Sequence, residues 1–181
     1  MPSAQRRFLT VMTALSVSLF AVPTYAAPDD LGQLTRGCLN TDGTWAPKDR
    51  VNACGSILAN YPLAPMQEAR IRANRAWSLG QEQRLADAQA DYDRALQLDP
   101  NSAVLYNERG FFHLRIGEFD AALRDYNSAI VIDPQFPYAL FGRGIAYMRK
   151  GELSRGQDDL AAARRIDNSI DAAFRNAGVT P

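Results

Sequence analysis

Histidine is almost missing from this chain and cysteine is scarce: among 181 residues there is one histidine, His113, and there are two cysteines, Cys38 and Cys54. A lone histidine excludes a zinc site of HExxH spacing, and neither a Ser-His-Asp nor a Cys-His pair has supporting context. No charge of one sign dominates. Twenty basic residues face 20 acidic ones, interspersed along the chain, so neither nucleic acid nor an anionic membrane surface is drawn to it strongly. The chain also lacks a long apolar run: its one strongly apolar uncharged stretch, Phe8 to Val22, is short for crossing a bilayer as a helix.

That stretch follows Arg6 and Arg7 and ends in Pro23-Thr24-Tyr25-Ala26-Ala27, the pattern of a secretory signal cleaved after Ala26. An uncleaved anchor is the alternative, but Asp29 and Asp30 follow at once and no second apolar segment comes later. The expectation is therefore a signal peptide over 1–26, a mature protein in the periplasm or outside a Gram-negative cell, and no stable membrane insertion after cleavage. Lipid anchoring would need a cysteine directly after the apolar run, and Cys38 lies well beyond it. An oxidising compartment favours a Cys38–Cys54 disulfide, which in the chain-entropy model stabilises by about 3 kcal/mol. A redox thiol pair is the weaker alternative, because no CxxC spacing is present.

What fills the rest of the chain is repetition. Ala88 to Pro100 aligns without gaps on Ala122 to Pro134, and a fainter copy at the same offset runs through Gly156, Asp159, Leu160, Ala163, Ile166 and Asp167. Each unit divides into two stretches of helical periodicity, broken at Gly117-Glu118 and Gly151-Glu152; Gln83-Arg84 holds that place in the first unit and is a poorer turn signal. Asp99-Pro100 and Asp133-Pro134 halt the second helix of their units.

On these residues the segment 69–168 resembles three tandem tetratricopeptide repeats, at 69–102, 103–136 and 137–168. The resemblance implies an all-α, right-handed superhelix of three stacked helix-turn-helix units. Small residues match the family pattern at the helix crossings, Ala76, Gly110 and Gly144 in the first helices and Ala88, Ala122 and Gly156 in the second. Leu79 and His113 depart from it where an aromatic is usual, which gives His113 a packing role, and Asn168 replaces a proline. A stack needs caps. Within the N-terminal segment 27–68, Val51, Cys54, Ile57 and Leu58 mark a capping helix over Lys48 to Asn60, onto which the disulfide would tie an irregular Gly37 to Pro47. In the C-terminal segment 169–181, Ile170, Ala173 and Phe174 mark a second capping helix.

Arginine recurs at Arg75, Arg109 and Arg143, each followed at one constant spacing by an aspartate, Asp91, Asp125 and Asp159 in turn, which reads as a structural ion pair inside every unit. Asp158-Asp159 and Asp29-Asp30 are adjacent carboxylates that diverge in direction, and Asn40-Thr41-Asp42-Gly43 lacks the spaced oxygens of a calcium loop. No catalytic, metal-binding or cofactor-binding residue is assigned, and no cofactor is expected.

By resemblance, the first helices line a concave groove that contacts a bound protein or peptide. Its candidate residues are Arg70 and Trp77 in the first unit, Asn107, Phe111 and Leu114 in the second, and Tyr138, Phe141, Ile145 and Met148 in the third. Where one subgroup of the family clamps a terminal carboxylate, this chain has Ala73, Trp77, Asn107, Glu108, Tyr138 and Gly142, which disfavours that mode. An apolar anchor or a helix laid in the groove is expected instead, with coverage by the chain's own segments as the competing reading. The function expected is a non-catalytic protein-binding module. Self-association into a homo-oligomer is the first rival, and a carboxylate-dependent envelope enzyme or enzyme subunit the second.

Overall fold

The computed structural model describes residues 28–180, so the signal segment expected over 1–26 lies outside the described residues. The described chain is built of helices: α1 (Pro28–Leu39), α2 (Pro47–Asn60), α3 (Pro65–Gln81), α4 (Leu85–Leu98), α5 (Ala103–Arg115), α6 (Phe119–Ile132), α7 (Pro137–Arg149), α8 (Leu153–Ile166) and α9 (Ile170–Asn176). Helices α3 and α4, α5 and α6, and α7 and α8 pack as pairs, and both helices of a pair meet the first helix of the next. None of the described helices is long and apolar enough to cross a membrane.

Starts and stops follow local chemistry. Proline stands in the first turn of α2, α3 and α7, where its missing N–H would be unpaired anyway. The Ser102 hydroxyl caps α5 by accepting from the Leu105 N–H. Gly117 and Gly151 turn the chain between paired helices at φ +82° and +84°, and Gln83 adopts the same left-handed turn at φ +60° in the first unit. A side chain there is strained by about 1 kcal/mol, which is why the sequence signal is weak at a turn that nonetheless forms.

Pairing within a unit is set by absent side chains. Ala76, Ala88 and Ala122 are fully buried at the crossings. At α7 and α8 the backbone oxygens of Gly144 and Gly156 lie within 3 Å of where the other glycine's Cβ would stand. Between units, Tyr126 of α6 is fully buried and its ring occupies the volume that a side chain at Gly142 of α7 would need.

The N-terminal cap has two helices, not the single one expected from the sequence. Cys38 belongs to the last turn of α1, and its disulfide to Cys54 joins α1 to α2 across a Cα separation of 4.8 Å. Only 40–46 is irregular, and Trp45 folds back onto α1 over Gly37, where any Cβ would strike the indole. Both cysteines are fully buried with Ala53, Ile57 and Ile71, a core separate from those of the repeats. The first repeat helix begins at Pro65, ahead of the repeat pattern that opens at Ala69, so α2 packs on an extended α3.

Two substitutions test this packing by chemical or thermal unfolding. Gly142→Ala forces Tyr126 to move and is expected to destabilise by about 2 kcal/mol. Gln83→Gly relieves the left-handed strain and is expected to stabilise by about 0.5–1 kcal/mol.

Candidate functional site

The three arginine–aspartate spacings close into forked pairs. Arg75 donates to Asp91 at 2.6 and 2.7 Å, Arg109 to Asp125 at 2.9 and 2.7 Å, and Arg143 to Asp159 at 2.7 and 2.8 Å. In the second and third units the remaining nitrogen reaches back to the preceding unit: Arg109 Nη1 donates to Asp93 at 2.6 Å and Arg143 Nη1 to Asn127 at 2.9 Å. Asp91 also accepts from Arg72. With each fork taken by a protein carboxylate, these arginines form a structural ladder and not a ligand-binding one. The forked carboxylates raise the pKa of Arg75 and Arg143; for Arg109, burial opposes the cation but the Asp125 and Asp93 carboxylates outweigh it.

His113 is buried against Phe112, with Nδ1 2.9 Å from Glu118 and Nε2 3.6 Å from Asp125. It braces the α5–α6 turn. No cluster of three or more potential metal ligands occurs among the described residues.

The face built by α3, α5 and α7 departs from the groove expected. Phe141 and Ile145 are fully buried, and Leu114 belongs to the same core. Phe141 is covered by α9, whose Phe174 sits with its ring centre 4.6 Å from that of Phe141 and 5.7 Å from that of Phe111, while Ile145 and Leu114 are packed into the same core. An apolar face on the last unit has no further repeat to bury it, and the chain covers it with its own C-terminal helix. Met148 is turned toward Gly156 of α8, and Arg70 is exposed away from the cavity that remains. Phe141, Ile145, Leu114 and Met148 are therefore corrected from groove to packing residues. With Phe174 of α9 seated on Phe111 and Phe141, that part of the face is taken by the chain itself.

What stays open is a cavity of about 380 Å³. Trp77, Asn107, Phe111 and Tyr138 line it together with Glu108 of α5, which stands at one of the clamp positions, and they are joined by Phe174 of α9 and, unanticipated, by Arg50 of α2. Tyr138 is 41% exposed at the rim. The guanidinium of Arg115 lies 5.4 Å from the Trp77 ring centre and holds the indole from the far side. Asn74, Glu108 and Gly142 occupy equivalent positions in the three successive units. The acid thus stands where glycine makes room for Tyr126 one unit later, and its charge raises the pKa of the neighbouring Tyr92, already lifted by burial. Burial pushes the Glu108 carboxyl up to about 7.

The architecture is a solenoid of three helix-turn-helix units with helical caps at both ends. Family profiles described as tetratricopeptide repeat match residues 69–102 and 91–124, and one described as TPR repeat matches 113–151. Over residues 69–151 the chain is made of tetratricopeptide repeats. Solved structures of the same fold include MamA, at 20% identity and a TM-score of 0.64 over 84% of this chain and 83% of that one. A tetratricopeptide repeat protein from Parabacteroides merdae matches at 17% identity and a TM-score of 0.64, over 77% of this chain and 54% of that one. The second TPR of Spaghetti (RPAP3), bound to the HSP90 peptide SRMEEVD, matches at 24% and 0.53, over 56% of this chain and 89% of that one. No curated protein matches the chain in sequence.

Because the folded-state pKa of Glu108 is raised, the native protein binds more protons than the unfolded chain between about pH 4.5 and 7. Stability contributed by the protonated carboxyl is lost as pH rises through that window. Glu108→Gln is expected to flatten this decline, gaining on the order of 2 kcal/mol over wild type above neutrality, and urea melts at about pH 5 and about pH 8 measure it.

Proposed function

We propose that this chain is a non-catalytic interaction module of the cell envelope, periplasmic or secreted, that holds a polypeptide segment against the face shared by α3, α5 and α7. The observation that carries the reading is the aromatic rim of the cavity, where Trp77 is half-buried and Tyr138 is exposed on the part of that face that α9 leaves uncovered. Aromatic side chains on a preformed wall dominate association energy when a partner covers them. The second TPR of RPAP3 holds a peptide on this fold, which supports a peptide or an extended protein segment as the partner. The chain does not carry the lysines and arginines of a carboxylate clamp on its first helices, so an apolar anchor over Trp77 and Tyr138 is the contact proposed. The basic-then-apolar pattern of 1–26 and the Cys38–Cys54 disulfide support export.

Crosslinking in the native envelope, read by mass spectrometry, tests this with a Trp77→Ala, Tyr138→Ala double variant whose helical circular dichroism is unchanged. A partner captured by wild type and lost from the variant is the expected result. Equal capture by both would move the interface to another face, and capture of further copies of the chain alone would replace the reading with self-association.

A further inference from the structure

The cavity bounded by α2, α3, α5, α7 and α9 holds polar groups that the fold leaves unused. Arg50 is only 8% exposed, lines the cavity, and has an Nε without a hydrogen-bond partner. No carboxylate among the described residues pairs with it, whereas Arg75, Arg109 and Arg143 are each forked onto an aspartate. A largely buried guanidinium with an unpartnered Nε and no counter-charge is costly, and a bound carboxylate is the group that satisfies its planar fork best. The Asn107 Oδ1 is also buried and accepts no donor, and Asn107 and Glu108 line the same cavity as Arg50. These groups call for an N–H. The rings of Trp77, Phe111, Tyr138 and Phe174 supply the apolar part of the lining.

We infer that this cavity binds a small amphiphilic carboxylate that also carries an N–H, the chemistry of an apolar α-amino acid or its N-acyl derivative. The carboxylate lies on Arg50, the N–H on the Asn107 oxygen, and the apolar body against Trp77 and Phe111. Each part of such a molecule meets a group that otherwise has no partner, and no part of it duplicates a contact the protein already makes. The volume of about 380 Å³ falls at the small end of the roughly 300–1,000 Å³ typical of small-molecule sites, and α9 contributes Ala173 and Phe174 to its lining. The site goes beyond the interaction reading and stands whether or not a protein partner occupies the rim.

Titration of the purified protein, followed calorimetrically and by the fluorescence of Trp77 in the cavity wall, tests the inference with L-phenylalanine, N-acetyl-L-phenylalanine and L-phenylalaninamide. Saturable binding of the two carboxylates is expected, with the amide weaker by roughly ten-fold or more, since it loses a charge-assisted forked pair. Arg50→Gln is expected to weaken the carboxylates by a similar factor. Because Arg50 is buried, Asn107→Ala provides a second, half-buried position at which binding should also fall while circular dichroism stays unchanged. Failure of both carboxylates to saturate at millimolar concentration overturns the inference, as does an amide that binds as well as the acid, or binding that survives both substitutions. A fourth probe, a peptide ending in a free phenylalanine carboxylate, separates the sources: if it binds at least about ten-fold more tightly than N-acetyl-L-phenylalanine, the cavity is an anchor for a chain end and the small-molecule assignment falls.

Discussion

Two antiparallel helices approach to backbone contact only where both omit their side chains, and each unit places small buried residues in both of its helices, Ala76 with Ala88, Gly110 with Ala122 and Gly144 with Gly156. At Gly144 and Gly156 the approach is so close that a methyl group on either would meet the other's carbonyl oxygen. Every longer contact is referred to that crossing. It sets how far apart the helices lie, and so whether the tyrosine of the second helix reaches the first helix of the next unit, as Tyr126 does over Gly142. It also sets whether an arginine on one helix can fork onto an aspartate on the other.

The forked pairs decide register more than stability. Their carboxylates at Asp91 and Asp125 are nearly dry, and the desolvation of such charges offsets most of their attraction. What they add is direction, since a planar guanidinium meets two carboxylate oxygens in one geometry only. The third nitrogen of Arg109 and of Arg143, spent on Asp93 and Asn127, carries that direction from one unit to the next. His113 adds a further brace at a place where an aromatic would only have filled space.

Much of this is legible in the sequence because it is periodic. One constant offset, the one that lays Tyr92 on Tyr126, exposes the helix pairs, the crossings and the Arg–Asp spacing at once, and Gly117 and Gly151 announce their turns; Gln83 does not, since the strain it bears leaves no mark in composition. Periodicity is silent about the ends. Helix α1 escapes it because it belongs to no repeat and carries few apolar residues, and Phe141 and Ile145 read as an open face because a repeat pattern says which residues share a side but not what covers them. Arg50 and Glu108 have faint signals. Arg50 falls on the stripe of Cys54 and Ile57, a charge on a face that is otherwise apolar, and Glu108 stands in register with Gly142, an acid where the neighbouring unit has no side chain. In both cases the informative feature is a charged residue at a position the pattern reserves for something small or greasy.

The backward reach of Arg109 and Arg143 also bears on how such a chain can lengthen. Each unit brings with it the arginine that grips its predecessor and the second-helix residue that its successor will grip, so a duplicated block of one full unit would arrive with its own couplings already spaced. The middle of the molecule therefore places no limit on the number of units. The pattern is abandoned at Asn168, and just beyond it the ring of Phe174 lies against Phe141 and Phe111, the place on the last unit that a following unit would otherwise share.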